Sequence, residues 1–154
     1  MKKRLPYIIT FVVGLLIGAA ISYLASLKTL SQALGIINLY NRASLENMAY
    51  QVYKKGDFDS SVVALSELVK ELEPYYETIK TIKRESVINN KRNIAIDLGL
   101  TYARLFVVYE RAGKQDLANQ YYQKAAELLN SRGEKMVKSP EQLKEFINKI
   151  DKGI

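Results

Sequence analysis

The sequence predicts an all-α protein: one transmembrane helix, then a domain of stacked helical hairpins, a small α-solenoid, closed by a C-terminal capping helix. Three observations carry this. Residues 5–27 hold no charged side chain, and at about 1.5 Å of rise per residue about 20 residues cross a hydrocarbon core of about 30 Å. The apolar positions that follow recur at three- and four-residue spacing, the period of one helix face. No alternating strand pattern, hairpin dipeptide or glycine-rich phosphate loop interrupts them.

The first element is expected over 6–28, after a cytoplasmic N-terminus at 1–5. Lys2, Lys3 and Arg4 precede it, whereas only Lys28 follows closely, with Arg42 next. Positive charge stays in the cytoplasm, so the remaining chain is expected on the extracytoplasmic side of the inner (plasma) membrane, periplasmic in a Gram-negative bacterium. The rival reading is a cleaved secretory signal, with Ala20-Ile21-Ser22 as a small-x-small site. The uncharged run exceeds the usual h-region of about 7–15 residues, which favours an anchor. Gly14, Gly18, Ser22 and Ser26 fall four apart, a spacing that lets helix backbones approach closely in lipid, against a second copy or a partner. Such residues are also common in any single-span helix. The span lacks an ionisable group, which argues against an ion path.

Composition narrows the function. A net charge of +7, from 23 basic and 16 acidic residues, is modest and dispersed, unlike the concentrated basic face of a nucleic-acid protein. Cysteine and histidine are absent, which excludes disulfides, thiolate chemistry, histidine-held metal and a histidine general base. The acids Asp57, Asp59, Glu71 and Glu73 read as caps and solvated helix faces. No hydroxyl or lysine stands in a recognisable nucleophile setting, so neither enzyme, cofactor nor small-molecule substrate is expected. Tryptophan is missing while tyrosine occurs 11 times, a bias that suits half-buried contact surfaces.

Residues 29–40 continue the anchor as a juxtamembrane helix or linker, with a bend expected at Gly35. The next helix carries Leu45, Met48, Ala49 and Val52 and stops at Lys54-Lys55-Gly56, basic residues followed by glycine. Asp57 or Asp59 then caps a helix with Val62, Leu65, Val69 and Leu72 on one face, ending near Pro74. Residues 75–92 read either as a separate helix begun at Pro74 or as a kinked extension, with Ile79, Ile82 and Val87 as sparse apolar positions and a turn at Asn89-Asn90. From 93 onward Leu98, Tyr102, Leu105, Phe106 and Tyr109 line a helix that closes at Arg111-Ala112-Gly113. Leu117, Ala118, Tyr121, Tyr122, Ala125, Leu128 and Leu129 line its partner. Ser139-Pro140-Glu141-Gln142 is a capping box with proline at the first helical position. It opens the last helix, whose stripe is Leu143, Phe146, Ile147 and Ile150.

The hairpins over 41–138 resemble tetratricopeptide repeats, helix–turn–helix units of about 34 residues that stack side by side. The resemblance covers roughly 41–74 and 99–131. The second hairpin carries it through Tyr102, Leu105, Phe106, Tyr109, Gly113, Ala118, Tyr122 and Ala125. Phe106 departs from the small residue favoured there. The first matches less well, through Leu45, Met48, Ala49, Val52 and Gly56, with Ser61, Leu65 and Leu68 where the family favours Ala, an aromatic and Ala. Gly56 and Gly113 lie farther apart than one repeat, so an insertion or degenerate unit separates them. The segment 139–154 is read as a cap on the last hairpin, or else as a partner-binding tail.

The resemblance implies that the first helix of each hairpin lines a face for protein segments. That face would comprise Glu46, Tyr50, Tyr53 and Lys54, then Ala103, Val107, Glu110 and Arg111. Family members that clamp a terminal carboxylate use Lys and Asn where Glu46 and Tyr50 stand, so a helix or apolar segment is the expected ligand. Each tyrosine also has the plainer reading of core packing with a wet hydroxyl. The expected function is a membrane-anchored interaction scaffold or assembly factor serving a membrane complex. The alternatives are a permanent accessory subunit of such a complex and, more weakly, an exported soluble chaperone.

Overall fold

The computed structural model describes residues 5–81, 90–131 and 137–153, with the backbone alone at 5–13, 15, 28 and 31–38. Five α-helices account for nearly all of them: α1 Leu5–Lys55, α2 Phe58–Lys80, α3 Lys91–Arg111, α4 Gln115–Asn130 and α5 Pro140–Lys152. No strand occurs among the described residues. The chain divides into two compact units, Met1–Tyr40 and Asn41–Ile154.

The first unit corrects two expectations. Among the described residues no helix is long and apolar enough to cross a membrane, which overturns the transmembrane helix expected over 6–28. The side chains described within that stretch are Gly14 and residues 16–27, fewer than the about 20 a bilayer core requires; the rest of the stretch lies outside the described side chains. The second correction concerns Gly35. The α1 backbone runs through it without a break, because one glycine costs a helix only about 1 kcal/mol relative to alanine.

In the second unit the caps act as the sequence predicts. Gly56 (φ +79°) and Gly113 (φ +70°) take the left-handed conformation that closes α1 and α3, which a residue with a Cβ adopts only with strain. The Asp57 side chain accepts from Ser60 N at 2.8 Å and starts α2. Asn90 starts α3 by accepting from Arg92 N at 2.9 Å, whereas Asn89, Ile82 and Val87 lie outside the described residues. Ser139 accepts from Gln142 N, and Gln142 Oε1 accepts from Lys138 N. α2 does not end near Pro74 but continues through it to Lys80, which is the extension rather than a separate helix begun at the proline. Burial of Leu72 before the proline and Ile79 after it outweighs the lost backbone donor.

α3 is the centre of this unit. Phe58 packs edge-on against Tyr109 at 5.8 Å, and the Tyr102 hydroxyl donates to Glu73, so α2 runs antiparallel to α3. α4 is antiparallel on another side. There Phe106 meets Tyr122 at 5.9 Å, Tyr109 stacks on Tyr121 at 5.3 Å, and Gly99 lies so close to Leu129 that a Cβ would sit 3.1 Å from it. Small Ala118 and Ala125, both buried, permit that approach. Lys124 joins Glu73 at 3.2 Å and sits 5.0 Å over the Tyr102 ring. The Tyr102 hydrogen bond, with help from Lys124, holds the Glu73 carboxyl below its ordinary value, while burial and then Glu73 raise the Tyr102 phenol.

The core gathers Leu65, Leu68 and Leu72 of α2, residues 98–109 of α3 on several faces, Ala118, Ala125 and Leu129 of α4, and Leu143 and Ile147 of α5. From α1 it takes Ala49, as expected, and Tyr53, whereas the expected Leu45 and Met48 are exposed at 39% and 61%. The inward edge of α1 is thus rotated from the apolar stripe the sequence shows. Phe106, enclosed at 1% exposure, fills the space between α3 and α4. Phe106→Ala is expected to cost about 3–5 kcal/mol, and Phe146→Ala, only half-buried, less. Thermal and urea unfolding of the two variants checks the order.

Candidate interaction face

The last turns of α1 and the length of α3 run parallel. Tyr53 shares a cleft with Val108 and Arg111, the Arg104 guanidinium lies 4.7 Å over the Tyr50 ring, and Glu46 feels the charge of Asp97. Numbering therefore rises along both helices in the same direction. Between them lies a shallow face bearing tyrosines and mixed charges, and α5 is packed on the α3 side of it.

Arg104 organises this face. Its Nη2 lies 2.9 Å and its Nε 3.3 Å from Asp151 Oδ1, with both side chains largely shielded at 15% and 13% exposure. The guanidinium also stands 5.9 Å from the Tyr53 ring centre. A cation over aromatic faces and held by a carboxylate with limited access to water is worth more than a surface ion pair. Tyr50 donates to the backbone oxygen of Asp151 at 3.0 Å. Burial, then the Asp151 charge, pushes the Tyr53 phenol up to about 12. At the other end Lys144 pairs with Glu110 at 2.8 Å.

Next to Arg104 stand two half-buried acids. Burial, reinforced by Asp97, pushes the Glu46 carboxyl up to about 7 against the opposing pull of Arg42 and Arg104. Burial also raises Asp97, with Arg42 opposing. Arg42 Nε is 3.5 Å from Glu46 Oε1 but forms no hydrogen bond to it, and that oxygen is enclosed without one. Desolvation outweighs the ion pair here.

The expected partner residues separate into three groups. Tyr50, Tyr53, Glu46 and Glu110 surround the face, together with Arg104, Asp97, Lys144 and Asp151. Ala103 and Val107 are at 0% and 3% exposure; they form its floor and offer no surface, contrary to the expectation of an open α3 face, because neighbouring helices cover it. Lys54 and Arg111 remain exposed. Lys54 Nζ sits 5.3 Å over the Tyr50 ring. Arg111 borders a cleft of about 190 Å³ at the α1–α2 turn, lined also by Tyr53, Phe58, Ser61 and Val108. Ser61 Oγ is buried there without a hydrogen-bond partner.

Arg104 escaped the sequence reading because it lies beside the face in the family pattern rather than on it. Asp151 escaped it too, although Leu143, Ile147 and Asp151 fall at i, i+4 and i+8 of one helix stripe. In the first unit Gly14, Gly18, Ser22 and Ser26 are all exposed. A Cβ at either glycine meets nothing within 4 Å, and Ser26 Oγ donates to Ser22 O of its own helix. Among the described residues no cluster of acidic side chains suited to a metal ion is present.

No protein-family model, curated protein or solved structure matches this chain. The likeness to tetratricopeptide repeats therefore rests on the residues of the chain alone.

The Glu46 carboxyl gives a pH prediction. A folded value near 7 against an ordinary 4.5 means that the folded chain holds the proton more tightly than the unfolded one. This contribution is fully present below about pH 4.5 and is lost as pH rises through about 7. Glu46→Gln is therefore expected to melt above wild type at about pH 8, with the difference vanishing near pH 4.5. Paired melting curves across that range check it; a difference independent of pH contradicts the assignment.

Proposed function

We propose that the unit Asn41–Ile154 is a tetratricopeptide-like protein-interaction module, serving as a scaffold or assembly factor that gathers a segment of another protein. One observation carries this reading: the end of α1 and α3 run parallel as the inner helices of adjacent hairpins would, with α2 and α4 antiparallel to α3. Between the parallel pair lie Tyr50, Tyr53 and Arg104, residue types enriched where protein surfaces meet, with Lys54 exposed beside them. The extracytoplasmic placement depended on the membrane span and is withdrawn with it.

A second reading, a permanent accessory subunit, is favoured by the first unit. Leu16, Ile17, Ile21, Leu24 and Leu30 are all more than half exposed, a concentration of apolar side chains that isolated soluble surfaces avoid. In this reading the first unit is the contact that holds the protein in a larger assembly.

Two sets of variants separate the readings. Gly14→Leu with Gly18→Leu enlarges the first unit where there is room for the new side chains; Lys54→Glu with Arg111→Glu reverses exposed charge beside the face. Tagged chains are purified from the native host and co-purifying proteins are quantified. For a scaffold, the charge reversal is expected to lower recovery of one protein roughly tenfold, with the glycine variants unaffected. Loss confined to the glycine variants supports the accessory subunit, and recovery unchanged in both sets contradicts both readings.

A further inference from the structure

The face between α1 and α3 already holds a helix, and that helix belongs to the same chain. Lys144 pairs with Glu110 and Asp151 with Arg104, so α5 lies antiparallel to α3 along the floor formed by Ala103 and Val107. Its hold has a simple grammar. Leu143 and Ile147 are fully enclosed at 0% exposure, and Asp151, one turn further on, accepts from the Tyr50 hydroxyl with its backbone oxygen and from Arg104 with its carboxylate. Positions i and i+4 supply aliphatic anchors, i+8 supplies a carboxylate, and i+1 supplies a cation for Glu110.

α5 is bounded by local contacts at its start. The Ser139 cap and Pro140 start α5 independently of its neighbours. Just before it the chain is pinned, because Asn130 Nδ2 donates to Val137 O at 2.7 Å and Asn130 Oδ1 accepts from Val137 N at 2.9 Å. Lys138 and Ser139 form the short joint between this pin and α5, Lys138 N donating to Gln142 Oε1 and Ser139 capping the helix. Beyond it, α5 keeps its outer side, with Glu145, Asn148, Lys149 and Lys152, exposed.

We propose that α5 is an internal occupant of the partner site, and that the partner is an amphipathic helix with the pattern aliphatic, aliphatic and acidic at i, i+4 and i+8. The partner displaces α5 by offering the same three contacts to the floor and to Arg104. This deepens the interaction-module reading and rests on it. A tethered segment competes at millimolar effective concentration, so a weak imitation of α5 is rejected and only a better match binds. The device therefore sets a threshold for recruitment.

The test uses the full chain and, as probe, a fluorescein-labelled peptide with the sequence of residues 138–153. Because the chain has no cysteine, Glu110→Cys with Lys144→Cys can be joined by a short bismaleimide to hold α5 down. The double variant Leu143→Asp with Ile147→Asp releases it. The released chain is expected to bind the peptide at least roughly tenfold tighter than wild type, and the cross-linked chain not at all. An Asp151→Asn peptide is expected to bind roughly tenfold more weakly. A released chain that melts cooperatively yet ignores the peptide overturns the proposal, as does a cross-linked chain that binds it as wild type does. Exchange of α5 between two copies, seen as a concentration-dependent dimer by light scattering, overturns the foreign partner in favour of a second copy. Hydrogen exchange on wild type tests the joint even if the released variant does not fold. Amides at 143–151 are expected to exchange at least roughly tenfold faster than those at 98–109; equal protection makes α5 a fixed part of the core and overturns the proposal. That outcome leaves the interaction-module reading standing on the Lys54 and Arg111 variants.

Discussion

The enclosure of α3 is the constraint from which the rest of the Asn41–Ile154 unit follows. A helix flanked by α2, α4 and α5, with the end of α1 alongside, has almost no side left for water. Its buried residues run in an unbroken series from Leu105 to Tyr109. Each flanking helix then needs only one apolar stripe, which suits their polar outer surfaces. The aromatic bias finds its reason here as well. Tyr102, Tyr109 and Tyr121 place rings in the packed layer and hydroxyls at its edge, where Glu73 accepts one of them. A tyrosine can thus serve a boundary that phenylalanine would leave dry and lysine would leave unpacked.

The same enclosure forces the polar groups near α3 into one strip. Arg104 and Asp97 cannot turn to bulk water, so they are matched with Asp151 and set near Arg42 and Glu46. Arg104 answers its environment fully, through a carboxylate and two aromatic rings. Glu46 does not, and its enclosed oxygen is the least comfortable group on the face. Poorly satisfied polar atoms beside a well-formed cation are an expensive way to build a core. They are easier to understand on a surface that exchanges occupants, where a partner's donor could complete what α5 leaves open.

The secondary structure of this unit was almost entirely legible. Gly56, Gly113, Asp57 and the Ser139-Pro140 start act within a few residues of themselves, and local chemistry of that kind survives any tertiary arrangement. What was misread involved competition between local preference and distant burial. Pro74 looks like a terminus until Leu72 and Ile79 are both seen to be buried. Leu45 and Met48 look like core beside Ala49 until Tyr53 is found buried in their place. Ala103 and Val107 look like an open face because the family pattern says nothing of what α5 covers. In the first unit, the uncharged run read as a membrane crossing, yet among the described residues no helix is long and apolar enough for one.

By itself, then, the sequence determined that the chain is helical, where four of the helix ends in the second unit fall, and that it lacks the histidine and cysteine on which much catalysis and metal binding depend. Those properties depend on neighbouring residues or on composition. Only the tertiary structure decided that α3 is flanked by three helices and the end of α1, that Arg104 rather than Lys54 is the central cation, and that α5 lies on the face expected to receive a partner. These depend on pairs such as Arg104 with Asp151 and Tyr50 with Asp151, which are far apart along the chain. Their meeting is set by how whole helices pack, and no local pattern records it.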